Sequence, residues 1–397
     1  MGQTASQFGE QATLIILPLT AILTLHASAG QLGLLRAAGQ APLFLLTLFI
    51  GAWVDGWRTR VVMVLADAAR AAVLGGLAVA ILLGLLRLPV LLVAVFAVGS
   101  MSVLFDVAYQ ASLVRLVHRD QLVQGNSALE GSRSAAQTSG LGLGGLLATV
   151  LPAPIAVASS VPLFALSSVS IHRIRHESPP EHPQRPRRVW RQIHEGLRFV
   201  AGNRFLRAVG LAAAAFQFFF AATMTLLLLF LTRELHLAGA AVGLALAATG
   251  PGALVGSLLA ARLAGRFGYG AVLVSAAVLG EGILLCVPAL HGPAAVTIPV
   301  LVAVIFVFGA SGQLVDVTVM AIRQAVTPDG MQGRVSATIT FAGMGLAPLG
   351  SLLGGFLGQD CGLRVSLLAT TAGMMLSPAL MALSPLIRLG KTLPMTD

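Results

Sequence analysis

Hydrophobic residues fill this chain in long continuous blocks, separated by short polar stretches, with no strict alternation. An α-helix needs about 20 consecutive apolar residues to cross the hydrocarbon of a bilayer. Twelve windows meet that criterion: 8–26, 31–54, 61–86, 88–111, 130–151, 153–172, 206–231, 238–263, 269–290, 294–321, 335–358 and 362–388. Continuous runs predict helices, whereas a barrel would show alternating strands. The prolines inside the windows (Pro18, Pro42, Pro251, Pro288 and Pro348) are tolerated in membrane helices, and small residues there let helices approach closely. The pattern predicts an all-α membrane protein of twelve transmembrane helices.

Composition leads the same way. Hydrophobic residues make up 56% of the 397 positions and charged residues only 10%, with mean hydropathy +0.89. A soluble surface calls for about 25% charged residues, so the bilayer must solvate most of this chain. The net charge of +10 does not indicate a nucleic-acid partner. Nine of the 25 basic residues lie between Arg173 and Arg207, and most others sit between apolar blocks, which is the distribution of membrane topology. The only lysine is Lys391, so the glycine-rich turn and lysine that hold nucleotide phosphates are missing. Any pumping must therefore draw on a gradient or a partner. Cys286 and Cys361 form no disulfide framework or metal motif. No metal site, cofactor or enzymatic cluster of His, Cys or carboxylates within one span is expected. Ala27-Ser-Ala29 resembles a signal-cleavage site, but no basic residue precedes Arg36, so a retained first span is expected.

Basic residues orient the chain. With both termini cytoplasmic, inner loops hold 19 Lys and Arg and outer loops three, the rest lying in spans, as the positive-inside rule requires. Residues 173–205 divide the chain into a bundle at 1–172 and another at 206–397. That divider contains the proline-rich Ser178–Pro186, then Trp190, Ile193, Leu197 and Val200 at helical spacing. The second stretch reads as an amphipathic helix on the inner membrane face. The halves repeat each other. Gly33 to Pro42 aligns with Gly243 to Pro251, Asp120, Ser127 and Ala128 align with Asp329, Ser336 and Ala337, and Asp106 with Asp316. Six spans repeated in the same order make a parallel repeat about an axis along the membrane normal, as in one large class of secondary transporters.

Two motifs and three further segments carry a resemblance to a known family. The loop Gly51-Ala-Trp-Val-Asp55-Gly-Trp-Arg58-Thr-Arg60 resembles the major facilitator motif Gly-x-x-x-Asp-Arg-x-Gly-Arg-Arg between helices 2 and 3. Gly51, Asp55 and Arg60 match; Gly56 replaces the first Arg and Arg58 the second Gly. Gly140-Leu-Gly-Leu-Gly144-Gly145 is similar to the exporter motif Gly-Pro-x-x-Gly-Gly of helix 5, with Leu141 in place of proline. Glu195 to Leu206, Arg323 to Asp329 and Gly333-Arg334-Val335 resemble the subgroup that contains the enterobactin exporter and macrolide-efflux proteins. Family members carry additional residues before their first span, so either Met1 is a late start or the terminus is short. The resemblance implies the major facilitator fold, two pseudo-symmetric six-helix bundles. It implies a monomeric secondary transporter in a bacterial inner membrane, surrounded by lipid and without cofactor. The expected activity is proton-coupled export of an amphipathic small molecule (a drug, macrolide or siderophore) by alternating access. The missing helix-5 proline keeps a facilitative uniporter or importer as the alternative.

Ionisable residues inside spans are costly and call for a reason. Glu10, Asp106 and Asp316 are the proton-coupling candidates. Glu10 reads either as a protonatable carboxylate or as a helix-start acid held by the N-terminal dipole; Asp106 and Asp316 read either as cation sites or as parts of a charge network near the inner surface. Arg36 is expected to snorkel to headgroups. Glu281, near mid-span in a helix that the resemblance makes peripheral, has no assigned role. Glu130 and Arg133 form a local pair by spacing. The resemblance assigns a cytoplasmic gate to Gly51, Asp55, Arg58, Arg60 and Arg115, with Asp55 meeting the helix start near Gly333–Ser336 and the arginines meeting Asp106 or Asp120. It lines the substrate cavity with Gln11, Thr13, Ser102, Phe216, Gln217, Phe220, Met224, Phe306 and Gln313, a set with few charges and several aromatics.

Overall fold

The computed structural model describes residues 2–54, 59–116, 136, 139–173, 189–328 and 331–392, without side chains at 2, 47–54, 110–116 and 189–193. Asp55, Arg58, Asp120, Glu130 and Arg133 therefore lie outside the described residues, as do the side chains at 51 and 115. The described residues are almost entirely helical: α1 (Gly2–Thr24), α2 (Ala29–Val54), α3 (Thr59–Leu82), α4 (Leu88–Leu116), α5 (Ser139–Val150), α6 (Ala153–Ala158), α7 (Val161–His172), α8 (Val189–Gly202) and α9 (Arg204–Leu229). A π turn, Phe230–Glu234, extends α9, and α10 (Gly239–Ala247), α11 (Thr249–Phe267), α12 (Tyr269–Ile283), α13 (Ala294–Ala325), α14 (Gln332–Met344), α15 (Ala347–Asp360), α16 (Leu363–Met374) and α17 (Leu376–Ala382) follow. Among the described residues nine helical segments are long and apolar enough to cross a membrane. Large hydrophobic side chains such as Leu65, Val93, Leu258 and Leu383 are exposed, as expected where lipid rather than water covers the surface.

Among the described residues four spans are broken, and proline places each break. Proline at position i lacks the donor for the carbonyl at i−4 and clashes with it. Pro162, Pro251, Pro348 and Pro378 are each preceded by a helix that ends four residues earlier, at Ala158, Ala247, Met344 and Met374. Pro288 acts in the same way: α12 gives way to a 3₁₀ turn at Leu284.

The described chain forms two compact units. One comprises residues 1–186 and 237–247, the other 187–236 and 248–397. The first is cored by Val62, Ala66, Val103, Phe105 and Ile171 on α3, α4 and α7. The second is cored by Leu206, Val209, Leu273, Ile322 and Val335, drawn from α9, α12, α13 and α14.

Glycine contacts repeat between the units at an offset of 210 positions. Within the first unit Gly99 sits against the Gly39 carbonyl, Gly140 against Phe8, and Gly144 against the Ala12 backbone. Within the second, Gly309 sits against Thr249, Gly350 against Phe218, and Gly354 against Ala222. Partner and glycine shift together, so the duplication seen in the sequence is a duplication of packing. Small residues where backbones meet are what membrane helix packing uses, since lipid supplies no hydrophobic drive between helices.

In the second unit, α8 docks on α14. Gly196 lies under Thr338 and the Arg334 carbonyl, Glu195 pairs with Arg334 at 2.7 Å, and Phe199 and Val200 join the core. Leu197 is left exposed. Asn203 then caps α9, its side chain accepting from the backbone N–H of Phe205 and Leu206. An Asn203→Ala variant is expected to lose about 1 kcal/mol, read as a small drop in thermal unfolding midpoint in detergent.

Candidate functional site

Helix α1 starts at Gly2, so Glu10 lies beyond its second turn. The N-terminal dipole acts only within the first turn, which removes the helix-start reading of Glu10. Ser6 and Glu10, four residues apart, share a face of the helix. Opposite, α3 carries Asp67 and Arg70, also on one face.

These residues make a buried ionic cluster in the first unit. Arg70 donates to Asp67 Oδ1 at 2.6 Å, to Ser6 Oγ at 3.1 Å and to Ser102 Oγ of α4 at 3.3 Å. Ser6 donates to the same Asp67 oxygen at 3.0 Å. Glu10 Oε2 lies 3.8 Å from Arg70. The guanidinium is held between the rings of Phe105 and Phe164, 4.7 and 4.6 Å from their centroids, the geometry of a cation over aromatic faces. Asp67 and Arg70 are fully enclosed, whereas 23% of the Glu10 side chain is exposed. Asp67 Oδ2 and Arg70 Nε have no hydrogen-bond partner among the described residues.

Asp67 and Arg70 were not among the residues expected from sequence. Their signal was the acid and base three apart inside one span, the spacing that marked Glu130 and Arg133. Ser102, expected in the cavity, instead binds Arg70. Thr13 turns its hydroxyl to the Gly9 carbonyl at 2.6 Å and to Ser160 at 3.2 Å. Gln11 lies beside Gly140 of α5. Asp106 is half-buried, one position after Phe105, while its counterpart Asp316 is exposed. Arg60 donates to the carbonyl of His172 at the end of α7. Arg36 is half-buried with Nε enclosed and without a hydrogen-bond partner among the described residues.

In the second unit two of the expected aromatics are brought together. Phe216 and Phe220 of α9 stack at 5.2 Å between centroids, and Phe220 stacks on Phe308 of α13 at 5.8 Å. All three are half-exposed, as are Gln217, Met224 and Gln313. Phe306 is not in this stack; its carbonyl lies against Gly252. The offset of 210 connects the two sites: Ser6 and Glu10 of α1 correspond to Phe216 and Phe220 of α9. One face of the repeated helix is ionic in the first half and aromatic in the second.

The sequence matches the family described as transmembrane secretion effector over residues 5–393. The chain belongs to this family of major facilitator transporters. It is a multi-pass membrane protein, a transporter and not an enzyme. Among curated relatives of this secretion-effector chain, the "Multidrug efflux pump Tap" of Mycobacterium tuberculosis is 28% identical over 380 residues, covering 91% of this chain and 86% of the relative. The protein of the same name from Mycolicibacterium fortuitum is 25% identical over 390 residues, covering 96% and 93%. Two solved structures share the fold. A bacterial homologue of the lysosomal transporter Spinster, inward-facing and occupied, has a TM-score of 0.75 at 14% identity, covering 96% of this chain and 94% of that one. The nucleoside transporter NupG has a TM-score of 0.73 at 12% identity, covering 96% of each. The chain therefore has the twelve-helix major facilitator fold, and at these identities the likeness to solved structures speaks for fold alone.

Proposed function

We propose that this transporter exports an amphipathic small molecule against a proton gradient by alternating access. Coupling lies in the first half and substrate contact in the second. The observation that carries this reading is the cluster of Glu10, Asp67 and Arg70. Two carboxylates face one guanidinium, so the fully ionised cluster holds an uncompensated negative charge, and one proton neutralises it. Asp67 is enclosed and hydrogen-bonded, so it keeps Arg70. Glu10 is more distant from Arg70 and reachable by water, so it is the group that exchanges the proton. The direction of transport rests on the relatives named as multidrug efflux pumps and on the glycine motif at 140–145. The stacked Phe216, Phe220 and Phe308, with Met224 and Gln217 nearby, suit a ligand that is largely apolar with a few polar groups.

Within this reading Asp106 and Asp316 are further cation-responsive acids, and the loop at Gly51, Asp55, Arg58 and Arg60, with Arg115, closes the cytoplasmic side. Both termini are cytoplasmic, and the bundles meet the linker at 172 and 206. Leu141, in place of the motif's proline, favours a second reading as a facilitative uniporter or importer.

Flux of a fluorescent amphipathic cation in proteoliposomes distinguishes them. An imposed inward proton gradient should drive uphill efflux by the unaltered protein. In Glu10→Gln, downhill exchange should persist while uphill movement is lost. Flux indifferent to the proton gradient in the unaltered protein would rule out coupling, and reversal by the substrate gradient alone would establish the facilitative reading.

A further inference from the structure

Glu281 is the buried ionisable group that the ionic cluster and the aromatic stack leave unexplained. It lies on α12, twelve residues beyond Tyr269, about 18 Å along the helix at 1.5 Å per residue. That is the middle of a hydrocarbon layer about 30 Å thick. Only 5% of it is exposed, and its Oε2 has no hydrogen-bond partner among the described residues. Facing it is Ser377 of α17, 1% exposed, whose Oγ is also without a partner among the described residues. The side chain that interacts with the Glu281 carboxyl is that of Ser377. The neighbouring backbone is tightly placed, with Gly280 against Ser311 of α13 and Gly282 facing Met375 just before α17.

Elements packed against α12 carry other charged groups: Arg262 and Arg266 on α11, Asp316 and Arg323 on α13, Arg364 on α16 and Arg388 in the terminal 3₁₀ turn. Among the described residues none of them forms an ion pair with Glu281, and Arg364 is taken up by Glu234 and the Pro288 carbonyl. A bare carboxylate in apolar surroundings with no cation is strongly disfavoured. Two facing oxygen groups are too few for a hard metal cation, which takes about six or more oxygens. A proton needs only one donor and one acceptor. On the carboxyl it creates an O–H that donates to Ser377 Oγ and satisfies both orphaned atoms together.

We infer that Glu281 and Ser377 form a proton-binding site in the C-terminal half, occupied when α12 and α17 are packed as they are here. Release of that proton leaves an unpaired charge between the two helices, so it requires their separation and entry of water. The site is thus a proton-dependent lock on helix packing. Gly280 is the 210-offset counterpart of Arg70, so this site stands one residue along from where the first half carries its arginine. The inference does not depend on Glu10 coupling transport, and it is testable without a substrate.

Infrared spectra of the purified full chain at neutral pH provide the test. A protonated-carboxyl C=O band, shifted in heavy water, should be present in the unaltered protein. It should be lost in Glu281→Gln, and move to higher frequency in Ser377→Ala as its hydrogen bond disappears. Hydrogen exchange supplies the lock's own readout: raising pH should accelerate amide exchange in α12 and α17 of the unaltered protein and leave Glu281→Gln unresponsive. If Glu281→Gln instead loses only a carboxylate band, Glu281 is ionised and the inference fails. It fails equally if both proteins show the same pH response in α12 and α17. Should the Gln variant not fold, Glu281→Asp must retain the protonated band, and its absence would overturn the site. Failure of coupling through Glu10 would show in the flux assay and leave these spectra unchanged.

Discussion

An Arg70→Met variant is expected to lose about 3–5 kcal/mol of stability, the usual consequence of removing one partner of a buried ion pair, and all gradient-driven transport. Arg70 and Asp67 are both fully enclosed, 2.6 Å apart. Without the guanidinium, Asp67 Oδ1 retains, among the described residues, the Ser6 hydroxyl, and Ser102 loses its bond to the arginine. The loss comes from the charge left behind, and that makes the prediction specific. In Asp67→Asn/Arg70→Met neither charge remains, and most of the stability should return, because an apolar replacement of a buried pair is often neutral. Arg70→Lys should fall between. It keeps a positive charge but not the planar fork that reaches three oxygens and lies flat between Phe105 and Phe164. Thermal unfolding of the unaltered protein, Arg70→Met, Asp67→Asn and Asp67→Asn/Arg70→Met in one detergent gives the double-mutant cycle, with Arg70→Lys measured beside it. If Arg70→Met unfolds at the midpoint of the unaltered protein, the cluster is not what holds α1, α3 and α4 together. Transport should not return in the double variant even where stability does, since Glu10 then faces no cation.

The sequence made the helices, the duplication and the aromatic face of α9 legible because each is a pattern spread over many residues. What escaped it depended on single boundaries or on contacts between spans. Placing the first helix at residue 8 made Glu10 a terminal acid; the helix begins at Gly2, and six residues change that carboxylate from dipole-bound to cluster-bound. Asp67 and Arg70 were readable as a pair three apart, but nothing in a linear sequence shows Ser6 and Ser102 converging on them. Ser102 and Thr13 looked like cavity residues because they are polar and lie on the expected helices. Their hydroxyls turn to Arg70 and Ser160, which only the rotation of each helix decides. Phe308, which stacks on Phe220, carried no signal of its own on α13, because which face of a helix a ring occupies is decided by its packing.

Gly144→Val and Gly354→Val are expected to produce matching damage, each costing about 1–3 kcal/mol through overpacking and each sharply lowering transport. A Cβ on Gly144 would stand 2.8 Å from the Ala12 carbonyl oxygen, and one on Gly354 2.5 Å from that of Ala222. Both obstacles are backbone atoms of a helix, so no side-chain rotation relieves them; the helices must move apart. The positions correspond through the 210 offset, and so do their partners, which makes α5 against α1 and α15 against α9 the same joint built twice. Neither glycine has a positive φ, so close approach rather than backbone conformation is the reason for glycine. Alanine should therefore be milder than valine at both sites, and both alanine variants should fold. The two sites share no contact residue, so the double valine variant should show additive losses. Unfolding midpoints and initial transport rates for the four single variants and the double test this directly. Damage at Gly144 without damage at Gly354 would mean that the repeat is one of sequence and that the two joints bear different loads.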